Sequence, residues 1–363
     1  MQRRDLLKGA IAGSVTGAAT LAAPAVARAQ TRVRWRMPSS FPQVLDTVYG
    51  GGVFISERVA ELTDGNFEIT PYAAGEILPP LGILDGVGEG STECGVTAGF
   101  YYLGAKPALV FDTGVPFGLT PRQHMAWMQH GGGLEIMREL YDEFNVVQIP
   151  CGNTGAQMGG WFRNPIETLE DLQGIRIRAA GYLGEVYAAL GAVPQQIPGS
   201  DLYPALERGT LDAVEFVGPY DDEKLGFHKV AKYYYSPGVL ELGASLCFLA
   251  NKEAWEALPS SYQAALQSAC SEAYVDMLAK YDTRNIEALR RLIAGGVELK
   301  SWSDEIMQAM QTETDRLLEE QAAGDDEFRR VYDEWKAFKN DQLLWASVND
   351  FAAESFVIAN RSR

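Results

Sequence analysis

Apolar and polar positions alternate over Val33-Arg34-Trp35-Arg36-Met37, a period of two that predicts a strand. A helix-like stretch follows from about Leu45 to Leu62 and is closed by Thr63-Asp64-Gly65. Asn66–Tyr72 predicts a second strand, and Leu81–Val87 leads through Gly90 to a third, Glu93–Thr97. The same order then returns. Ile175–Arg178 predicts a strand, Tyr182–Leu190 a helix ended by Gly191, and Ala192–Ile197 a strand; a helix from about Asp201 leads through Gly209 to the strand Leu211–Phe216. Gly90 and Gly209 occupy matching places, followed three residues on by Glu93 and Asp212. Strands alternating with helices predict parallel βαβ units. Two such units make two α/β lobes, and the crevice between them is a natural ligand site.

The last third differs in kind. Residues 261–293 carry helical patterning with almost no Gly or Pro, long enough to run across two lobes. Further helices are predicted over about Asp304–Gln321, Asp326–Asn340 and Leu343–Ala359. They carry Trp335, Phe338, Leu344, Trp345, Phe351 and Phe356, which must bury either against the lobes or against another chain. The expected organisation is residues 1–29 apart, lobe 1 over 30–150 with return segments from the C-terminal part, lobe 2 over 151–250, and a helical region over 251–363.

Residues 1–29 have the three parts of a removable secretory signal: the basic opening Met1–Lys8, the small apolar run Gly9–Pro24, and an A-x-A site within Ala25–Gln30. Arg3-Arg4 ahead of Leu6-Leu7-Lys8 reads as a twin-arginine address. The apolar run is too short and too rich in Gly and Ala to span about 30 Å of hydrocarbon. Periplasmic export is therefore expected. The chain carries a net charge of −17; Arg3, Arg4, Lys8 and Arg28 against Asp5 give the first 29 residues +3, so the remainder carries −20. Such a surface repels nucleic acid, which is not expected as a partner, and anionic membrane surfaces. It also repels anions at long range, so an anion site has to be built from local cations and dipoles.

Catalytic signatures are nearly absent. There is no H-E-x-x-H, no G-x-S-x-G and no Walker A loop, and Gly86-Val87-Gly88-Glu89-Gly90 falls late in a helix rather than just after a strand. His124, His130 and His228 suit no metal triad, and Cys94, Cys151, Cys247 and Cys270 contain no C-x-x-C. What remains is polar chemistry around the second lobe. Asn153–Phe162 mixes amide, aromatic and small residues, suited either to close approach by a ligand or to a Gly-rich strand pair. Arg178 ends a strand, where α/β crevices open, and its fork suits a carboxylate. Arg176 shares its face, so a solvated edge competes for both. Glu215 ends another strand between apolar neighbours, and a carboxylate buried there needs a cation beside it.

The segments Asn153–Phe162, Leu169–Arg178, Tyr203–Gly209 on to Tyr220–Lys224, Pro38–Pro42 and His130–Gly133 resemble those of TRAP-transporter periplasmic substrate-binding proteins, in the branch that takes 2-oxo monocarboxylates such as pyruvate. The resemblance covers essentially the whole chain after the signal. It implies the two-lobed periplasmic binding protein fold, ligand capture by lobe closure, delivery to membrane permease subunits, and no enzymatic activity. It further implies that Arg178 grips the ligand carboxylate and that Gln157 contacts both the ligand and a bound cation. Glu215 and the carbonyl of Phe216 hold that cation, Glu241 is a further contact to ligand or cation, and Tyr101 and Phe162 are aromatic walls. Oxygen-only donors suit a hard cation, Na⁺ or alternatively Ca²⁺. Phe216 stands where that branch carries Trp, and Leu242 follows Glu241 where it carries Gly. Pairing through a C-terminal helix is also implied, giving a homodimer that buries Trp335, Phe338 or Trp345. Two other functions are compatible with the residues: a carboxylate-dependent periplasmic enzyme, and a ligand sensor for a membrane receptor.

Overall fold

The computed structural model describes residues 31–238 and 241–361; the signal segment 1–29, with Arg3 and Arg4, lies outside the described residues. The strands are β1 (Val33–Pro38), β2 (Phe67–Tyr72), β3 (Cys94–Thr97), β4 (Val146–Asn153), β5 (Gly160–Phe162), β6 (Arg176–Arg178), β7 (Val193–Gln195), β8 (Ala213–Val214), β9 (Tyr233–Ser236), β10 (Ser245–Asn251) and β11 (Glu298–Ser301). Helices α1 (Val48–Leu62), α2 (Gly181–Ala189), α3 (Pro219–Leu225), α4 (Ser260–Ala294), α5 (Asp304–Gly324), α6 (Asp326–Val348) and α7 (Asp350–Ala359) pack around them.

The first lobe joins the parallel pair β1-β2 to β3-β10-β4, the two stitched by a Ser39–Val96 bridge. The second is one mixed sheet in the order β11-β9-β5-β8-β6-β7. Alternation along its strands separates two apolar cores. Phe162, Ile177 and Ala213 face one, under α2 and α5, while Trp161 and Val214 face the other.

The expected repeat is present, with its detail. Gly90 and Gly209 both take the left-handed conformation (φ 76° and 72°) that glycine adopts at least cost. Glu93 receives the backbone N–H and guanidinium of Arg36, and Asp212 receives those of Arg176 in the same way. The lobes are not purely parallel, however. β10 runs antiparallel between β3 and β4, and β5 runs antiparallel between β8 and β9. The reason is that the chain crosses between lobes along strands: β4 runs on into β5, and β9 runs back into β10. Thus β10, which the sequence assigned to the end of lobe 2, is the central strand of the first-lobe sheet, and β11 adds an edge strand to the second.

Helix α4 spans about 52 Å at 1.5 Å per residue. Its buried stripe Tyr262, Leu266, Ala269, Cys270, Ala273, Met277 and Tyr281 recurs every three or four residues and packs on β4, α1 and α3, so one helix serves both lobes. The predicted break after Asn340 is absent. Nothing at Asp341-Gln342 stops a helix, and α6 continues to Val348, where the Asn349 side chain accepts from the N–H of Asp350 to start α7. The four cysteines are buried free thiols, each held well above the ordinary thiol range by burial.

Candidate functional site

The two crossing segments run side by side and antiparallel, 154–159 against the described residues 237–238 and 241–244. The Thr154 N–H donates to the Ala244 carbonyl, the Gln157 N–H to the Glu241 carbonyl, and the Gly238 N–H to the Gln157 carbonyl. Gln157 and Glu241 therefore project from the hinge itself. Arg178 and Glu215 come from the ends of adjacent second-lobe strands, β6 and β8, whose carboxyl ends open on the crevice. The two strands are laced together where the Glu215 N–H donates to the Arg178 carbonyl. Tyr101 comes from the first lobe, on the turn Gly99–Tyr102 after β3.

Arg178 is 2% exposed and Glu215 3%. The Arg178 guanidinium is set by backbone: Nη1 donates to the Glu215 carbonyl at 2.6 Å and Nε to the Ile197 carbonyl at 3.4 Å. Its centre lies 5.3 Å from the Phe216 ring centroid, and Nη1 is 3.5 Å from Glu215 Oε2. Arg176, two residues back, is half-exposed and committed to Asp212. Depth along the strand, not its face, separates the two arginines. Close approach of β5 to Glu215 requires Gly160, at φ 104°, because a Cβ there would lie 2.9 Å from the Val214 carbonyl and 3.3 Å from Glu215 Cβ.

Phe162 stands elsewhere than the sequence expectation put it. Its ring lies 5.2 Å from Tyr235 and 5.6 Å from Trp302, edge-on to both, inside the core beneath α2 and α5. Strand alternation accounts for this. Its neighbour Trp161 faces the opposite side, stacks on Tyr234 at 4.0 Å and donates from Nε1 to Asp222.

Two of the buried oxygens without a hydrogen-bond partner among the described residues belong to this site, Glu215 Oε1 and Gln157 Oε1; Gln148 Oε1, Tyr187 Oη, Asp222 Oδ1 and Ser245 Oγ are the others. The Gln157 Nε2 donates to Thr154 Oγ1, which fixes the amide with its oxygen left over. Burial pushes the Glu215 carboxyl well up, with Glu241 adding to the rise and Arg178 opposing it. Burial raises Glu241 to about 8, again against Arg178. The Tyr101 hydroxyl is also raised by burial, with Arg178 pulling it down. Two carboxyls, one guanidinium and two unsatisfied acceptors suit a cation held by oxygen. Among the described residues there is no cluster of three His, Cys, Asp or Glu that would suit zinc or copper.

Burial also raises Asp112 and Asp221 to about 6 and Asp222 to about 7. Each of these carboxyls holds its proton more tightly folded than unfolded, where the pKa is about 3.9. Their contribution, and that of Glu241, is therefore complete below about 4 and is lost as pH rises from there through the folded values of about 6 to 8, with Asp222 and Glu241 carrying the loss above about pH 6.5. His124, lowered to about 4 by burial, acts oppositely, but only below about 6.5, where an unfolded imidazole takes up a proton. In chelator and sodium-free buffer, the melting temperature is expected to fall by about 2–5 °C between pH 6.5 and 8.5. A melting temperature that is flat or rises over that interval contradicts the assignment.

The family of bacterial extracellular solute-binding proteins, family 7 (DctP), matches residues 39–325. The chain belongs to this family. At 48% identity over 328 residues, 90% of either chain, this solute-binding protein is similar to a monocarboxylate 2-oxoacid-binding periplasmic protein of Nostoc sp.. It is also similar, at 48% identity and TM-score 0.90 over 91% of this chain and 98% of the other, to a TRAP transporter solute-binding protein of Bordetella bronchiseptica. That protein is a mixed-occupancy dimer with calcium and picolinate in one site. A TRAP periplasmic solute-binding protein of Pseudoalteromonas atlantica with bound sodium and pyruvate matches at 36% identity and TM-score 0.87, over 90% and 99%. The solute-binding protein is thus a two-lobed periplasmic receptor of a TRAP transporter. None of its described helices is long and apolar enough to cross a membrane.

Sequence reasoning missed the carbonyl that helps set Arg178 in place and the acid that anchors Trp161 on β5. The Ile197 carbonyl beside Arg178 carries no sequence signal. Asp222, whose Oδ2 accepts from Trp161 and from the Tyr234 hydroxyl at 2.7 Å, lies in the Tyr220–Lys224 segment already singled out, but as one acid among several.

Proposed function

We propose that this receptor binds a 2-oxo monocarboxylate such as pyruvate together with Na⁺ or Ca²⁺, and passes the anion unchanged to the membrane permease subunits. Arg178 takes the ligand carboxylate, with Tyr101 as the first-lobe wall. Glu215, Gln157 and the Phe216 carbonyl hold the cation, with Glu241 beside them. The pair of partnerless buried oxygens next to a buried arginine carries the argument, because a carboxylate ligand would otherwise meet Glu215 at like charge. The cation supplies positive charge between them. A twin-arginine signal at 1–29 would carry the folded chain to the periplasm. The test is titration calorimetry with pyruvate. Binding in Na⁺ or Ca²⁺ buffer is expected to weaken at least about tenfold after dialysis against chelator without sodium. Equal affinity in both buffers would make Glu215 a protonated acid that hydrogen-bonds the ligand directly.

The C-terminal helices support a homodimer, with one revision of the residues. Trp335 is 2% exposed and lies 5.3 Å from Phe111 of its own chain, and Phe338 packs against the same core, so neither is free for a partner. Trp345, at 55% exposure, is free, as are Leu343, Leu344, Val348, Phe351 and Phe356. A strip of this size on a lone chain is an association surface. Light scattering at micromolar concentration is expected to give twice the mass of one chain. Leu344→Glu with Trp345→Glu should give the single-chain mass with pyruvate binding intact. A single-chain mass for the wild type refutes the dimer.

A further inference from the structure

We propose that Gln196 is a clasp across the mouth of the crevice, setting how long a captured ligand stays; this rests on the ligand-binding reading above. Three neighbouring residues form the arm that carries it. Gln195 pairs with Arg178 in the sheet, and the Ile197 carbonyl receives Arg178 Nε. Between them Gln196 turns outward. Its Nε2 donates to the carbonyl of Tyr101 in the first lobe at 3.0 Å, and its Oε1 accepts from the N–H of Gly181 at the start of α2 at 3.3 Å. One partner is an acceptor and the other a donor, so the amide has a single orientation. The same residue thus touches the wall that Tyr101 provides and the strand end that aims Arg178.

The lobes meet closely at this point. Gly181 has φ 55°, and a Cβ on it would lie 2.9 Å from Phe100 Cβ. Two other polar bridges between lobes are anchored differently, while the Tyr101 side chain also meets Arg178 beside the clasp. Lys224 and the Tyr220 hydroxyl meet Asp46, and the Thr47 hydroxyl meets Asp221. These bridges lean on α4, through Lys280 to the Asp46 carbonyl and Tyr281 to Asp221, and α4 is shared by both lobes. The Gln196–Tyr101 bond has no such backing and must break when the mouth opens. Gln196 is exposed, so water replaces its partner on opening, and the bond slows release without preventing it.

Stopped-flow binding of pyruvate in Na⁺ and Ca²⁺ buffer tests this. Gln196→Ala is expected to raise the dissociation rate about three- to tenfold with the association rate within twofold of wild type. Gln196→Glu keeps the acceptor for Gly181 and so preserves the second lobe, but sets a carboxylate against the Tyr101 carbonyl. It should release at least as fast as the alanine variant. Dissociation unchanged within twofold in both variants, or a loss confined to association, overturns the proposal. A wild-type chain that binds no pyruvate refutes the ligand reading instead. The clasp is then decided by pulsed electron resonance between spin labels on Glu68→Cys and Glu167→Cys, with the native thiols buried. Gln196→Glu must move the distance distribution to longer values, and an unchanged distribution overturns the clasp.

Discussion

Arg178→Ala is expected to weaken pyruvate binding by about 30-fold to several-thousand-fold, the range for truncating one partner of a buried charged pair. The size follows from how Arg178 is held. It is almost fully buried, and two backbone carbonyls aim its guanidinium, with Glu215 Oε2 3.5 Å from Nη1 alone. A ligand carboxylate therefore meets a fork already in place and needs no reorganisation. Arg178→Lys should recover only part of the loss, since an ammonium has no planar fork. Arg176→Ala provides the control: it removes an edge pair with Asp212 and should leave affinity nearly unchanged. Calorimetry showing Arg178→Ala within threefold of wild type, or Arg176→Ala as the damaged variant, would move the anion site away from the β6 end.

The second large effect is expected at Glu215. Glu215→Gln keeps the shape but removes the charge beside an uncommitted amide oxygen. Affinity for pyruvate should fall by at least about ten- to a hundredfold, and what remains should no longer respond to Na⁺ or Ca²⁺. The joint loss is the diagnostic result. A direct hydrogen bond from a protonated Glu215 to the ligand would be largely reproduced by the glutamine N–H, with no change in response to cations. Calorimetric titrations of both proteins with and without each ion separate these outcomes.

The alternating strands β1 and β2 and the long helix α4 were legible in the sequence because each has one buried face, so periodicity announces it. The repeat was legible too, down to the glycine and the acid three residues on, whose shared task is to clamp an arginine one strand over. The strands that cross between lobes were not. Ser245–Asn251 is buried on both faces, so it shows no alternation, and Tyr233-Tyr234-Tyr235 reads as a cluster rather than a strand. Missing them hid the hinge, and with it the reason that Gln157 and Glu241, far apart along the chain, sit side by side. Arg178 and Glu215 were found because charged residues at strand ends stand out. Phe162 was misjudged because a three-residue strand gives too little pattern to say which of Trp161 and Phe162 faces which core.

The four buried thiols bear on the lifetime of the molecule. No covalent link closes any loop of the folded chain among the described residues, so none restrains the unfolded one. In an oxidising compartment a folded receptor keeps its thiols reduced by burying them as neutral groups. An unfolded one exposes all four at once, and four thiols allow three connectivities, none of which matches the native state. Each excursion to the unfolded chain there risks chemical capture. Endurance in the periplasm is then governed by how rarely the chain unfolds, a rate, rather than by the equilibrium between folded and unfolded forms.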